Sequence, residues 1–348
     1  MESVGFALVG AGKVAEIHAR ALNELPRARL VTVVSRTPEK ARRLAQQYGA
    51  EWDTDLQRAL SRPEVEAVDV CTPSGAHLEV VEAAATAGKH LVVEKPLELT
   101  HDRVERLIRV CEEAGVKLAG IFQHRFGIGI QEVKRALEGG RLGKLVLVDA
   151  YVKWYRPQSY YEGSWHGTWK LDGGGALMNQ SIHTIDLMLW LVGPVTEVYA
   201  ARTATLAHRM ETEDTGVALL SLACGALGVI EGTTGSWPGD PARLELHGDK
   251  GTIMLEEGRI VKRDLADASP EERERMLSLE APPGSGSSDP MAIGIEKHKR
   301  QLEDFVLAIR EDRDPAVDGA EARRAVELVL AIYESARTGR PVAPEVNR

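Results

Sequence analysis

Four short constellations in this sequence carry residue types that do chemistry. The first is Gly10-Ala11-Gly12-Lys13-Val14-Ala15, a GxGxxA run that follows directly on the apolar stretch Val4 to Val9. Gly10 suits a tight turn, Gly12 lets the backbone approach a pyrophosphate, and the small Ala15 lets a helix pack closely on a sheet. The helix start, with Lys13 and Val14, then presents unpaired N–H groups to an anion. Alone, such a run reads as an ordinary glycine turn; after the first strand of a βαβ unit it reads as a dinucleotide site. The second is Ser35-Arg36 with Lys40, where an acidic residue usually takes the ribose hydroxyls of NAD. Without that acid, Ser35, Arg36 and Lys40 suit a 2′-phosphate, so NADP is slightly preferred over NAD. The alternative is an Arg36 that stacks over adenine or is solvated.

The third constellation is a pair of Pro-punctuated segments, Cys71-Thr72-Pro73-Ser74 and Glu94-Lys95-Pro96, each after a β-branched run. Ligands of open α/β sheets bind beyond the carboxyl ends of strands, which places Thr72, Pro73, Ser74, Glu94 and Lys95 beside the cofactor. Pro96 biases Lys95 towards an extended backbone that projects its ammonium over the strand end. The fourth runs from Asp172 through Gly173-Gly174-Gly175 to Asp186, read as a flexible glycine turn entering an amphipathic helix. Asn179 and His183 are four apart, so they share a helical face, and imidazole exchanges protons near neutral pH. Taken singly, Lys95 reads as a solvated charge and His183 as a structural hydrogen-bonding group. Near a nicotinamide, the two supply the electropositive partner and the proton acceptor that hydride transfer from a carbinol carbon needs. His77 reads as packing or touching cofactor, and His166 as lacking a companion ligand. No HExxH or comparable spacing appears, so no metal is expected.

The elements that must position these groups follow from hydrophobic period. Runs at Val4–Val9, Leu30–Ser35, Val65–Val70, His90–Val93 and Val116–Ile121 alternate with helical patterns, including Thr100–Ala114, the signature of a parallel α/β sheet. After Phe122 come a helix over Gly129–Glu138, a strand over Leu145–Lys153, a Trp- and Tyr-rich loop to Gly175 and a helix over Leu177–Leu191. Strands without intervening helices follow at Val195–Ala204, Thr215–Leu222, Ala226–Thr233, Arg243–His247 and Gly251–Leu255. The fold class is therefore α/β: a Rossmann domain over residues 1–122, then an α+β domain over 123–348 with a large open, mainly antiparallel sheet. Residues 216–230 read as a buried β-hairpin. The Pro-, Ser- and Gly-rich stretch 266–290 reads as a loop before helices over Lys297–Arg310 and Ala320–Ser335.

At 348 residues with a formal charge of −9, the chain is long enough for two cores and too acidic to favour a nucleic-acid partner. No apolar run is long enough to cross a bilayer and no secretory signal is visible, so the expectation is a cytoplasmic protein away from the membrane. Its three cysteines are far apart, which predicts free thiols.

These motifs, with His18 after the glycine turn, His77 after Thr72-Pro73, and Gln123 with Arg125-Phe126, resemble the Gfo/Idh/MocA family of oxidoreductases over almost the whole chain. The resemblance implies Lys95 and His183 as catalytic pair, a cis peptide before Pro96, Gln123 on the cofactor and Arg125 on the substrate. It also implies a second domain that walls the substrate and joins subunits into a homodimer or homotetramer. Many members carry Asp where this chain has Asn179. Asn cannot accept a proton, so His183 takes the acid/base role and Asn179 orients the sugar or nicotinamide. The Asn179-Gln180 pair is similar to the sugar 3-dehydrogenase branch. Trp154, Arg156, Tyr160 and Trp169 suit a pyranose, the alternative being a packing cluster. The expected activity is NAD(P)-dependent oxidation of a ring secondary alcohol of a sugar, sugar derivative or cyclitol. Competing expectations are a glycosidase that uses bound NAD transiently, and a non-enzymatic dinucleotide sensor.

Overall fold

The computed structural model describes residues 3–279 and 294–345. In chain order its first elements are β1 (Val4–Val9), α1 (Lys13–Glu24), β2 (Ala28–Val34), α2 (Pro38–Gln47), β3 (Glu51–Asp53), α3 (Leu56–Leu60), β4 (Ala67–Val70), α4 (His77–Thr86), β5 (His90–Val93), α5 (His101–Ala114) and β6 (Leu118–Gly120). Then come α6 (Ile128–Glu138), β7 (Leu145–Lys153), a π-helix over Ala176–Ser181, α7 (Ile182–Val192), β8 (Val195–Ala204), β9 (Thr215–Leu222), β10 (Leu227–Thr233), β11 (Arg243–Gly248), β12 (Gly251–Glu256) and β13 (Arg259–Leu265). The chain closes with α8 (Pro270–Leu277), α9 (Glu296–Glu311) and α10 (Gly319–Thr338).

Two compact units result: Met1–Gln123 with Ile295–Arg323, and His124–Gly294 with Arg324–Arg348. In the first, the strands lie in the order β3-β2-β1-β4-β5-β6, all pairs parallel. This is the doubly wound Rossmann order, which reverses direction between β1 and β4. Strands β1 and β4 are buried at every position, as the central strands of a parallel sheet covered on both faces are. Helix α5 starts on the Thr100 side chain, which accepts the Arg103 N–H, and stops at Gly115 in the left-handed region.

The second unit holds a seven-stranded sheet in the order β13-β12-β11-β7-β10-β9-β8. All its pairs are antiparallel except β7 with β10. Alternate residues such as Val148, Ala150, Leu220 and Ile230 are buried on one face, while Val217, Leu219, Leu227 and Tyr199 are exposed on the other.

Several expectations are corrected. Segment 295–323, expected with the second domain, clusters with the first: Leu302, Phe305 and Val306 join the core of Phe6 and Leu8. Gln301 ties this segment to the end of β6, accepting the Phe122 N–H at 3.1 Å and donating to the Gly120 carbonyl at 2.8 Å. The helix expected over 177–191 begins as a π-helix and is buried almost all round, not amphipathic. Residues 216–230 do form a hairpin, but only one face of it is buried. Strands β3 and β13 were not foreseen; β3 is three residues long, and β13 is a charged edge strand. Part of the expected 266–290 loop is α8, capped by Ser269 with Pro270 in its first turn; residues 280–290 lie outside the described residues. No helix of the described residues is long and apolar enough to cross a membrane.

Candidate active site

In the first unit, the ends of β1, β4 and β5 are stitched side by side, with Cys71 N–H donating to the Val9 carbonyl and Glu94 N–H to that of Val70. This brings the Gly10–Val14 turn, Thr72–Ser74 and Lys95 to one edge of the sheet. Gly10 has φ +121°, and a Cβ there would sit 2.3 Å from the Cys71 carbonyl oxygen, so no other residue fits. Gly12 begins α1 with no side chain capping it, and a Cβ at Gly12 would point into open space. The N-terminal turn is thus left bare for an anion, as a dinucleotide pyrophosphate requires. Gln123, just beyond β6, has a buried Oε1 with no hydrogen-bond partner among the described residues, a second feature that suits a bound hydroxyl or carboxamide. Ser35 accepts the Thr37 N–H at 3.2 Å, while Arg36 and Lys40 are exposed.

Three predicted cofactor contacts have structural duties. His77 is buried between carbonyl oxygens of Thr72 (3.1 Å), Pro96 (3.1 Å) and Leu97 (3.2 Å), so it packs and ties the two strand-end loops together. Burial, the largest effect, lowers its pKa. Ser74 is buried at the start of a short 3-10 turn. Glu94 turns inward: its Oε1 lies 2.9 Å from His18 Nε2, and its Oε2 accepts the Lys95 N–H at 3.0 Å. Burial opposes its ionisation, but the hydrogen bond and charge of His18, with Lys95 and His298, hold its carboxyl at about 2. Lys95 itself is half-buried, and the Lys95–Pro96 peptide is cis, as the resemblance implied.

In the second unit the π-helix carries Asn179 and leads into His183. Glu213 anchors its start, its buried carboxylate accepting the N–H groups of Gly175 (3.1 Å) and Leu177 (2.9 Å) and the Tyr333 hydroxyl (2.9 Å). Burial, the largest effect, raises the Glu213 pKa. Leu177 sits over Gly216 and Gly232, a directly paired couple in which an added Cβ would meet Leu177 at 2.7 and 2.9 Å. The glycine run before the helix is closely packed: a Cβ on Gly174 would strike the Tyr333 hydroxyl at 2.1 Å, and one on Gly175 the Glu213 carbonyl at 2.0 Å.

An oriented chain of buried amides then runs from a cation to an anion. Arg156 donates to Gln180 Oε1 (2.8 Å), Gln180 Nε2 to Asn179 Oδ1 (3.0 Å), and Asn179 Nδ2 to Asp172 Oδ1. Because arginine only donates and carboxylate only accepts, the two ends dictate which way each amide points. Tyr160 stacks on His166 with ring centres 4.4 Å apart, and Arg156 lies 5.0 Å over Trp154 and 5.7 Å over Tyr160. His183 is partly exposed, with its ring centre 5.0 Å from that of His124.

The structure therefore groups Trp154, Arg156, Tyr160 and Asn179. Arg125 is buried in a two-pronged pair with Asp186 (2.9 and 2.6 Å), and Arg156 donates one hydrogen bond to Gln180. Trp169 is 51% exposed and meets Tyr333 edge-on, apart from those rings' stack. Sequence reasoning missed Asp69, Asp172 and Glu213 as organising acids, and the placement of His166 with ring companions. The one available signal was an acid directly before a triple glycine.

Residues 4–122 match the oxidoreductase family with NAD-binding Rossmann fold, and residues 130–254 match the GFO/IDH/MocA C-terminal domain. Among solved structures, the WlbA dehydrogenase from Bordetella pertussis in complex with NADH and UDP-GlcNAcA is 35% identical, with a TM-score of 0.88 and 98% of each chain covered. Inositol 2-dehydrogenase of Rhizobium meliloti is 27% identical over 98% of this chain and 99% of its own. Myo-inositol 2-dehydrogenase of Thermotoga maritima is also 27% identical, over 97% and 98%. Fold and glycine turn together define an NAD-binding oxidoreductase with a Rossmann unit and an open-sheet unit. This chain belongs to the Gfo/Idh/MocA family, whose relatives include sugar and cyclitol dehydrogenases.

Proposed function

We propose that this chain is a dehydrogenase that transfers a hydride between nicotinamide and a ring secondary alcohol of a sugar, sugar derivative or cyclitol. The observation that carries this reading is the bare α1 terminus at Gly12 beside the Lys95 strand end, on a chain whose 35%-identical relative holds NADH and UDP-GlcNAcA. Bound NAD supplies the hydride acceptor. His183 removes the hydroxyl proton, and the Lys95 ammonium stabilises the negative charge that develops on that oxygen. Asn179, its amide oriented by Asp172 and Gln180, positions the substrate by hydrogen bonds and takes no proton.

The test is an absorbance assay at the nicotinamide band with UDP-GlcNAcA, myo-inositol and a panel of hexoses and uronates. NAD and NADP are supplied separately. Lys95→Met and His183→Ala should leave cofactor affinity within about threefold and lower kcat by about a hundredfold or more. Full activity in both variants on an accepted substrate sinks the assignment. NAD is the first cofactor to expect, since the WlbA dehydrogenase complex holds NADH. The exposed Arg36 and the missing acid after β2 keep NADP as the second, and Arg36→Ala should then lower kcat/KM for NADP alone. We also propose a homodimer or homotetramer in which another copy covers the exposed apolar residues of the open sheet.

A further inference from the structure

One motif residue of the sequence, His18, has no part in the function above, yet it sits at the centre of a fully buried polar cluster in the first unit. It projects from α1, six residues beyond Gly12, and is 0% exposed. Its Nδ1 lies 2.9 Å from both carboxylate oxygens of Asp69 on β4, and its Nε2 lies 2.9 Å from Glu94 Oε1 at the end of β5. The Cys71 thiol donates to Asp69 at 3.7 Å, and the His298 ring of α9 packs edge-on at 5.4 Å. These groups, with Lys95 next to Glu94, are the titratable side chains seen around His18 among the described residues.

We propose that His18 is a positioning residue: a doubly protonated imidazolium clamped between Asp69 and Glu94, holding the Glu94 carboxylate where it fixes the Lys95 backbone. A carboxylate only accepts hydrogen bonds, so a ring flanked by two of them needs a proton on each nitrogen; a neutral ring would turn one lone pair on a carboxylate. Burial, the largest single effect, works against a charge on His18, but the charges and hydrogen bonds of Asp69 and Cys71 together raise the pKa well above 6.5. The second oxygen of Glu94 accepts the Lys95 N–H, so the clamp reaches the residue that carries the ammonium. One helix thus bears both the dinucleotide turn and the cation that sets the Lys95 segment. The significance for catalysis rests on the reading of Lys95 above; the clamp itself does not.

Two measurements on the full chain without substrate decide the matter. In a long-range proton–nitrogen correlation spectrum, His18 should keep protons on both ring nitrogens at about pH 7.5, where a free imidazole has lost one, and a singly protonated ring there overturns the proposal. In His18→Asn, the Lys95 amide should exchange with solvent about tenfold faster, while Leu91 and Val92 in β5 keep their rates. An unchanged Lys95 rate, or equal acceleration along β5, overturns it, the latter because it marks a merely structural role. Should His18→Asn fail to fold, the ring protonation of the unaltered chain decides alone. Neither readout uses turnover, so failure here is distinct from failure of the dehydrogenase assignment.

Discussion

Asn179 shows how one neighbour decides what a residue can be. Its amide nitrogen bonds the buried Asp172 carboxylate, so a carboxylate at position 179 would confront another across a single hydrogen bond. Asn179→Asp should therefore force one of the pair to hold a proton and cost about 1–3 kcal/mol at neutral pH. Since the shared proton raises an acid pKa in the folded state, the loss should shrink as pH falls, which urea denaturation at about pH 5 and about pH 8 would reveal. A loss that does not vary with pH would refute the like-charge argument. The His18 clamp has its own pH signature. His18, raised above 6.5, contributes stability that is complete below that value and lost as pH climbs through its folded pKa; Glu94, depressed from 4.5 to about 2, contributes stability that is complete above 4.5 and lost as pH falls from there through about 2. Thermal midpoints should accordingly decline on the alkaline side of a mildly acidic maximum, and His18→Asn should flatten that decline.

At the scale of the element, the π-helix is the part that sequence periodicity misread. A π-helix is rare and persists where tertiary contacts hold it, and here Glu213 takes its first N–H groups while Gly216 and Gly232 make room for Leu177. Glu213→Gln replaces an acceptor-only group by one that must turn an amide N–H towards some of those donors. Stability should fall by about 1–3 kcal/mol in chemical denaturation. Gly175→Ala would drive a methyl into the Glu213 carbonyl and should cost at least as much. If both variants unfold like the parent chain, the π-helix is held by something other than this anchor.

At the scale of the whole molecule, the exposed face of the seven-stranded sheet presents Val217, Leu219, Leu227 and Tyr199, a row that water solvates poorly. If copies associate through it, Val217→Asp with Leu219→Glu should convert the assembly to monomers in light scattering, with a far-ultraviolet circular dichroism spectrum like that of the parent. A parent chain that is already monomeric at micromolar concentration would end the proposal.

Much of the fold was legible because it is written in local terms. Valine- and leucine-rich runs such as His90–Val93 and Leu145–Lys153 coincide with strands, and GxGxxA after β1 announces its own turn geometry. Which residues meet across tens of positions has no such local record. His18 finds Asp69 and Glu94, Arg125 pairs with Asp186, and α9 returns to the first core, all through packing of elements far apart in the chain. Residue type and spacing were enough to name the chemistry. Tertiary structure alone decided which charged and polar groups face one another out of water, because a buried polar group without a partner is costly and only the folded chain determines which partner it meets.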